Sequence, residues 1–232
     1  MPQERPYSPV DGIWLKDDFY SNDPVTDGLV GELHWEIAAL GNASTIAYQT
    51  ARAYGTMKDT TAATADGDGE VYRLFTDGLV LNNKGGGFAF RCKLNDQIAS
   101  NNFRIGVDDS VTATSPTVGI WVDCDGGVLS LQVDSADHGD LSQLVENVST
   151  LTTGTTMVVD TWHDFLVTWT GDNGRGGPKW VECYVDGEIG ASCYSNIDDD
   201  EEVECKIIHW QDSGGALAVE LEIDYYEFWQ YR

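Results

Sequence analysis

Positive charge is scarce in this 232-residue sequence. Thirteen lysines and arginines stand against 39 aspartates and glutamates, for a formal net charge of −26. A nucleic-acid backbone or an anionic membrane would be repelled, so neither is expected as a partner. Only six residues are lysine, whereas aspartate alone supplies 26. Short, strongly hydrated carboxylates therefore dominate the surface and repel one another in dilute salt. Multimolar salt screens charges beyond a few ångströms, so the balance points to a halophilic source. An ordinary acidic extracellular or virion protein would show the same balance.

Long apolar runs are also missing. No stretch reaches the 18 or so residues a membrane-spanning helix needs, and MPQERPYSPV at the start has neither a basic nor an apolar segment, so no signal peptide is expected. Residues 1–12 hold three of the six prolines without periodicity and read as an N-terminal arm, a candidate tether. Residues 13–232 read as a single domain with no internal repeat, large enough to bury a core without cross-links. The five cysteines, Cys92, Cys124, Cys183, Cys193 and Cys205, are odd in number and include no C-x-x-C pair. Counting back from a turn at Asp186-Gly187 sets Cys183 opposite Gly190 and not Cys193. Buried free thiols are therefore expected. His34, His138, His163 and His209 lack H-x-x-x-H spacing, so neither zinc nor a triad is predicted. The acidic turns Asp66 to Glu70, Asp123 to Gly126 and Asp198 to Glu202 offer calcium-type oxygen ligands, yet none has the twelve-residue loop spacing. They read as solvated turns, and no cofactor or metal is expected. Gly171 to Pro178 lacks a phosphate-loop ending and reads as a hairpin loop. Asn42-Ala43-Ser44 and Asn147-Val148-Ser149 fit glycosylation triplets, which chance also supplies.

Period-two alternation is what the sequence has in abundance. Leu33, Trp35 and Ile37 share one parity, as do Phe88, Phe90, Cys92 and Leu94 behind a triple glycine. Phe103, Ile105 and Val107 follow, then Val118, Ile120, Val122 and Cys124. A turn at Asp125-Gly126-Gly127 leads to Leu129, Leu131 and Val133. Phe165, Val167 and Trp169, then Val181, Cys183 and Val185, then Val203, Cys205 and Ile207 complete the set. Asp17 to Tyr20 is expected to open the first strand, residues 43–54 are ambiguous, and Leu141 to Val148 carries a weak helical pattern. Many short strands with glycine-rich turns imply an all-β, antiparallel two-sheet jelly-roll sandwich.

The last strand, Ala216 to Trp229, combines an oily face with an acidic one. Leu217, Val219, Leu221, Ile223 and Tyr225 alternate with Glu220, Glu222 and Asp224. One extra residue, a β-bulge at Tyr225-Tyr226, would return Phe228 to the core and gather Glu222, Asp224 and Glu227 on one face.

Seven short pieces, in this order, resemble tailed-virus structural proteins that carry a concanavalin A-like, laminin G-like jelly-roll domain. They are Asp17-Asp18-Phe19, Gly31 to Trp35, Arg104 to Asp109, Gly119 to Val122, Trp162-His163, Val185-Asp186-Gly187 and Ile223-Asp224-Tyr225. The resemblance implies two stacked sheets with the first and last strands adjacent. It also implies a capsid-decoration or tail-appendage module on the virion surface, made in the host cytoplasm. Its partners would be copies of itself, as a homo-oligomer, and a capsid or tail protein. Lectin relatives bind sugars or calcium at loop edges, but no such motif maps onto this chain residue by residue.

Two further readings concern chemistry. Glu222 to Glu227 is similar to the E-I-D-x-x-E bulged strand of laminarinase-like glycoside hydrolases. That likeness implies Glu222 as nucleophile, Glu227 as acid/base and Asp224 as the charge separating their pKa values. The motif lies mid-chain in that family, whereas only five residues follow Glu227 here, so the wet face of an acidic protein is the simpler reading and no enzyme is expected. Trp121, Trp180 and Trp210 lie on the parity opposite their strands' core residues. They are candidate ligand-binding side chains, for stacking on a host-surface glycan or for a protein contact.

Overall fold

The computed structural model describes residues 12–19, 29–42, 45–48, 55–63, 67–95, 98–109, 116–134, 141–144, 157–197, 201–212 and 217–232. From the N-terminal side run β1 (Gly12–Asp17), β2 (Leu29–Val30), β3 (Trp35–Leu40), β4 (Thr45–Tyr48), β5 (Met57–Thr60), β6 (Gly69–Val80), β7 (Gly86–Leu94) and β8 (Asn101–Asp108). Then come β9 (Gly119–Asp125), β10 (Val128–Asp134), β11 (Leu141–Leu144), β12 (His163–Asp172), β13 (Pro178–Val185), β14 (Glu188–Tyr194), β15 (Glu202–Gln211) and β16 (Glu220–Tyr231). One sheet has the order β14-β13-β12-β7-β16-β5-β4, with β1 alongside the last half of β16. We term it the terminal sheet. The other, the facing sheet, runs β11-β10-β9-β8-β15-β6-β3-β2. Every pairing is antiparallel, and the molecule is an all-β jelly-roll sandwich with its first and last strands adjacent.

The alternating sets meet between the sheets. Phe88, Phe90, Phe103, Phe165, Trp169, Trp35 and Phe228 are buried there, as are the inward-facing aliphatic residues of β8, β9, β10, β13 and β15. Phe90 stacks on Phe165 with ring centroids 4.6 Å apart. Burying a side chain of this size contributes on the order of 2 kcal/mol. The five cysteines are buried free thiols. Burial holds their protons on, pushing Cys183, Cys193 and Cys205 up to about 12.

Several expectations shift by a residue or an element. The first strand ends at Asp17 and does not begin there. Gly12, expected in the arm, already pairs with Tyr231. Leu33 lies in a turn, and β3 starts at Trp35, because His34 adopts a left-handed backbone with φ 60°. Leu141 to Leu144 is an edge strand against β10, where sheet pairing overrides the weak helical pattern. On β16 the extra residue is Asp224: the register with β7 shifts between Ile223 and Tyr225, one position before the expected bulge. Tyr226 and Phe228 therefore point inward, Tyr225 is half-buried on the outside, and Leu217 is exposed. A second bulge opposite Cys183 and Tyr184 sets Cys183 against Ala191 and leaves Gly190 unpaired. Cys193 faces Val181, so the two thiols stay separate. Residues 1–11, the Asn147 triplet, His138, the remainder of 141–148 and Asp198 to Asp200 lie outside the described residues.

Of the pieces that carry the viral resemblance, those built on Asp17, Gly31, His163 and Asp186 fall at turns or strand ends, and the other three lie along β8, β9 and β16. Asp17, fully buried, accepts hydrogen bonds from Phe19 N at 2.7 Å, Leu33 N at 2.9 Å and Trp35 Nε1 at 3.1 Å. It ties the chain after β1 to the turn before β3. A Cβ at Gly31, where φ is +75°, would strike that carboxylate. Asp186 and Gly187 form the β13-β14 turn with φ 53° and 86°, as a two-residue hairpin requires. The Asp186 carboxylate accepts from Asp164 N at 2.9 Å and lies 2.8 Å from His163 Nδ1. Between the sheets, His209 spans Asp59 Oδ2 and Asn101 Oδ1, each at 2.9 Å, and so ties β15 to β5.

Candidate functional site

The two outer faces of the sandwich differ in chemistry. On the terminal sheet the outer face divides into a charged half and an aromatic half. In the charged half Lys58 pairs with Glu220 at 2.6 Å and Lys93 with Glu222 at 3.2 Å. Asn95 Nδ2 donates to Glu222 at 2.7 Å. Arg91 reaches Asp224 at 3.4 Å and Asp164 at 3.8 Å. The cations of Arg91 and Lys93 each sit 5.4 Å from the Trp162 ring. Glu227 is buried and accepts a hydrogen bond from Trp14 Nε1 at 2.7 Å. Glu222, Asp224 and Glu227 thus share one face, as their spacing implied, and each is held by a donor or a cation.

The aromatic half follows from the triple glycine. Gly86 and Gly87 carry no side chain, so Trp169 lies against β7 from inside the sandwich and Trp229 lies across it from outside. A Cβ at either glycine would enter an indole ring. Along one outer row Trp14 pairs with Trp229, Trp229 with Gly87, Gly87 with Thr168 and Thr168 with Glu182. In the next row Thr170 pairs with Trp180 and Trp180 with Tyr194. Trp14 is 57% exposed at one end, and Trp180 and Tyr194 are 49% and 39% exposed at the other. Trp180 and Tyr194 meet edge to face at 5.6 Å. Between the ends lie Trp229, 8% exposed, Tyr231, half-buried, and the short side chains of Thr168 and Thr170. β1 and β13 are four strand spacings apart, ~19 Å. The result is a low strip with an aromatic ring at each end.

On the facing sheet the outer row is polar and covered. Lys206, 1% exposed, contacts Asp108 and lies 3.0 Å from Glu204 Oε1. Burial is the largest influence on Glu204 and on Asp123 and pushes both carboxyls up, against the pull of Lys206 and Arg104 respectively. Trp121 is 2% exposed, with the Arg104 guanidinium 5.1 Å from its ring and Arg104 Nε 3.2 Å from Asp123.

The three tryptophans picked out by parity therefore do not form one surface. All three point outward from their sheets. Trp180 is on the terminal sheet, whereas Trp121 and Trp210 are on the facing sheet, with Trp121 buried and Trp210 half-buried. Parity identified the direction but not the cover. The side chains missed were Trp14 and Tyr194. Trp14 alternates with Ile13 and Leu15, which was a readable signal, but its neighbour Trp229 is remote in sequence. Among the described residues no group of three His, Cys, Asp or Glu side chains is placed to hold a metal ion.

No family model matches the sequence, and no curated protein matches it. Solved structures match in number, 312 chains in all. The endo-β-1,4-glucuronan lyase of the fungus Trichoderma reesei is 14% identical with a TM-score of 0.59, over 92% of this chain and 94% of that one. A protein of unknown function from Shewanella oneidensis is 13% identical with a TM-score of 0.61, over 94% and 86%. The cellulose-induced protein Cip1 is 17% identical with a TM-score of 0.58, over 92% and 96%. At these identities the likeness is one of fold, and the fold is the concanavalin A-like jelly roll.

Proposed function

We propose that this protein is a non-catalytic carbohydrate-binding module that takes a glycan on the outer face of its terminal sheet. The observation that carries the reading is the strip between Trp14 and Trp180. Two large, rigid rings stand exposed at its ends over a floor of the packed Trp229, the half-buried Tyr231 and two short threonines. Aromatic faces stack on the apolar faces of sugar rings and lose little conformational freedom in doing so. The adjoining carboxylates are held in ion pairs and hydrogen bonds, an arrangement suited to shaping a surface. Like sandwiches include a glucuronan lyase, so the fold is compatible with a polysaccharide ligand. The test is a glycan array probed in multimolar salt with the wild type, Trp14→Ala, Trp180→Ala and, as a control on the other sheet, Trp210→Ala. Binding that survives in the control and is lost in the first two supports the reading. A blank array for folded wild-type protein refutes it.

A second reading places the module on the particle of a tailed virus, as a homo-oligomeric capsid decoration or tail appendage that contacts a host-surface glycan. The seven ordered sequence pieces favour it. Cosedimentation with purified particles tests it, and recovery only in host extract would overturn it.

A further inference from the structure

We infer that the strip selects an uncharged, linear polysaccharide laid across the strands of the terminal sheet, with Trp14 and Trp180 gripping separate sugar rings. The inference rests on the carbohydrate reading and specifies its ligand. Three observations carry it. The first is the spacing: ~19 Å between β1 and β13 is longer than a single sugar ring, so one ring cannot touch both tryptophans. The second is the floor. Trp229 packs over Gly87 and is 8% exposed, Tyr231 is half-buried beside it over Gly85, and Thr168 and Thr170 are short, so the floor between the two ends is made of packed or short side chains.

The third observation is the charge. Glu227 lies beneath Trp14, and Glu182 stands in the row beside Trp180, half-buried with Tyr184 OH donating to it at 2.9 Å. Lys16, the cation nearest Trp14 on its own strand, is paired with Asp18 at 2.6 Å. Lys179 is next to Trp180 in sequence, on the alternate parity of β13. Negative charge therefore underlies the strip at the Trp14 end and borders it at the Trp180 end, within a chain of net charge −26. A uronate, sialylated or sulfated chain would lie over or beside like charge at both ends, whereas a sugar hydroxyl can donate to Glu182.

Calorimetry on the full chain tests this. The probes are neutral glucan, mannan and xylan oligomers from disaccharide to hexasaccharide, together with an oligoglucuronate hexamer, at low and at multimolar salt. The expected result is that one neutral series binds, tightening with length until both ends are covered. The oligoglucuronate should bind at least tenfold more weakly at low salt. Trp14→Ala and Trp180→Ala should each cost the longest neutral oligomer about tenfold in affinity, with near-ultraviolet dichroism confirming the fold. The inference is overturned if the oligoglucuronate binds as tightly as the neutral hexamer. A disaccharide that binds as tightly as a hexasaccharide would overturn it equally. In both cases the carbohydrate reading survives. Absence of binding by every oligomer refutes that reading and this inference together.

Discussion

Replacing Asp17 should unlock the junction between the two sheets. Its carboxylate is fully buried and accepts three N–H donors, from Phe19, Leu33 and the Trp35 indole, at 2.7 to 3.1 Å. A hydrogen bond to a charged group contributes ~1.5–3 kcal/mol, and a donor left unsatisfied in the interior costs ~1–3 kcal/mol. The three bonds share one acceptor group and do not add, and Leu33 N is partly accessible to water. We therefore expect Asp17→Ala to cost about 4 kcal/mol, a large share of the ~5–15 kcal/mol that a domain possesses. Asp17→Asn keeps one acceptor oxygen and turns an amide toward the other donors, so about 2 kcal/mol is expected. Trp35→Phe removes a single donor and should couple to the Asp17 substitution by about 1 kcal/mol in a double-mutant cycle. The assay is denaturant unfolding followed by tryptophan fluorescence, with unchanged m-values required for the comparison. A shift below about 0.5 kcal/mol for Asp17→Ala would refute the argument, since it would show the three donors equally well satisfied without the carboxylate.

Three other outcomes follow from the buried and charged groups. Burial raises the Glu204 carboxyl above its ordinary 4.5, so the folded protein holds a proton that the unfolded chain has released. That residue makes stability fall as pH rises from 4.5 through the raised value, and Glu204→Gln should flatten this part of the unfolding midpoint against pH; an unchanged slope contradicts the assignment. The five thiols should resist a disulfide reagent at mildly alkaline pH in the native protein and all react in denaturant, because each is buried and each holds its proton. One fast-reacting native thiol would contradict that. With a net charge of −26, the unfolding midpoint should rise as potassium chloride increases into the molar range, and a flat response would count against the halophilic source.

Strand identity was legible because every core strand keeps one face dry. The sets built on Phe88, Phe103, Ile120, Phe165 and Val203 went where alternation put them. Bulge positions were not legible. A one-residue slip on β16 depends on how Asp224 fits opposite Cys92 and Arg91, and that pairing is invisible to local pattern. The Asp17 junction was hidden for a related reason: two of its donors lie 16 and 18 residues downstream, in a turn whose backbone His34 holds left-handed. The candidate site was half legible. Trp180 was picked out by parity, and its partner across the strip was not, since Trp14 reaches the last strand 213 residues away through Glu227. Trp121 shows the limit of parity, because an outward residue can still be covered.

On the proposed function, the outer face of the terminal sheet binds a glycan between Trp14 and Trp180. The most direct measurement is the glycan affinity of the wild type beside Trp14→Ala, Trp180→Ala and Trp210→Ala in the same salt. A roughly tenfold loss is expected for each of the first two and wild-type affinity for the third. Equal affinity for all four proteins, or loss only in Trp210→Ala, would contradict it.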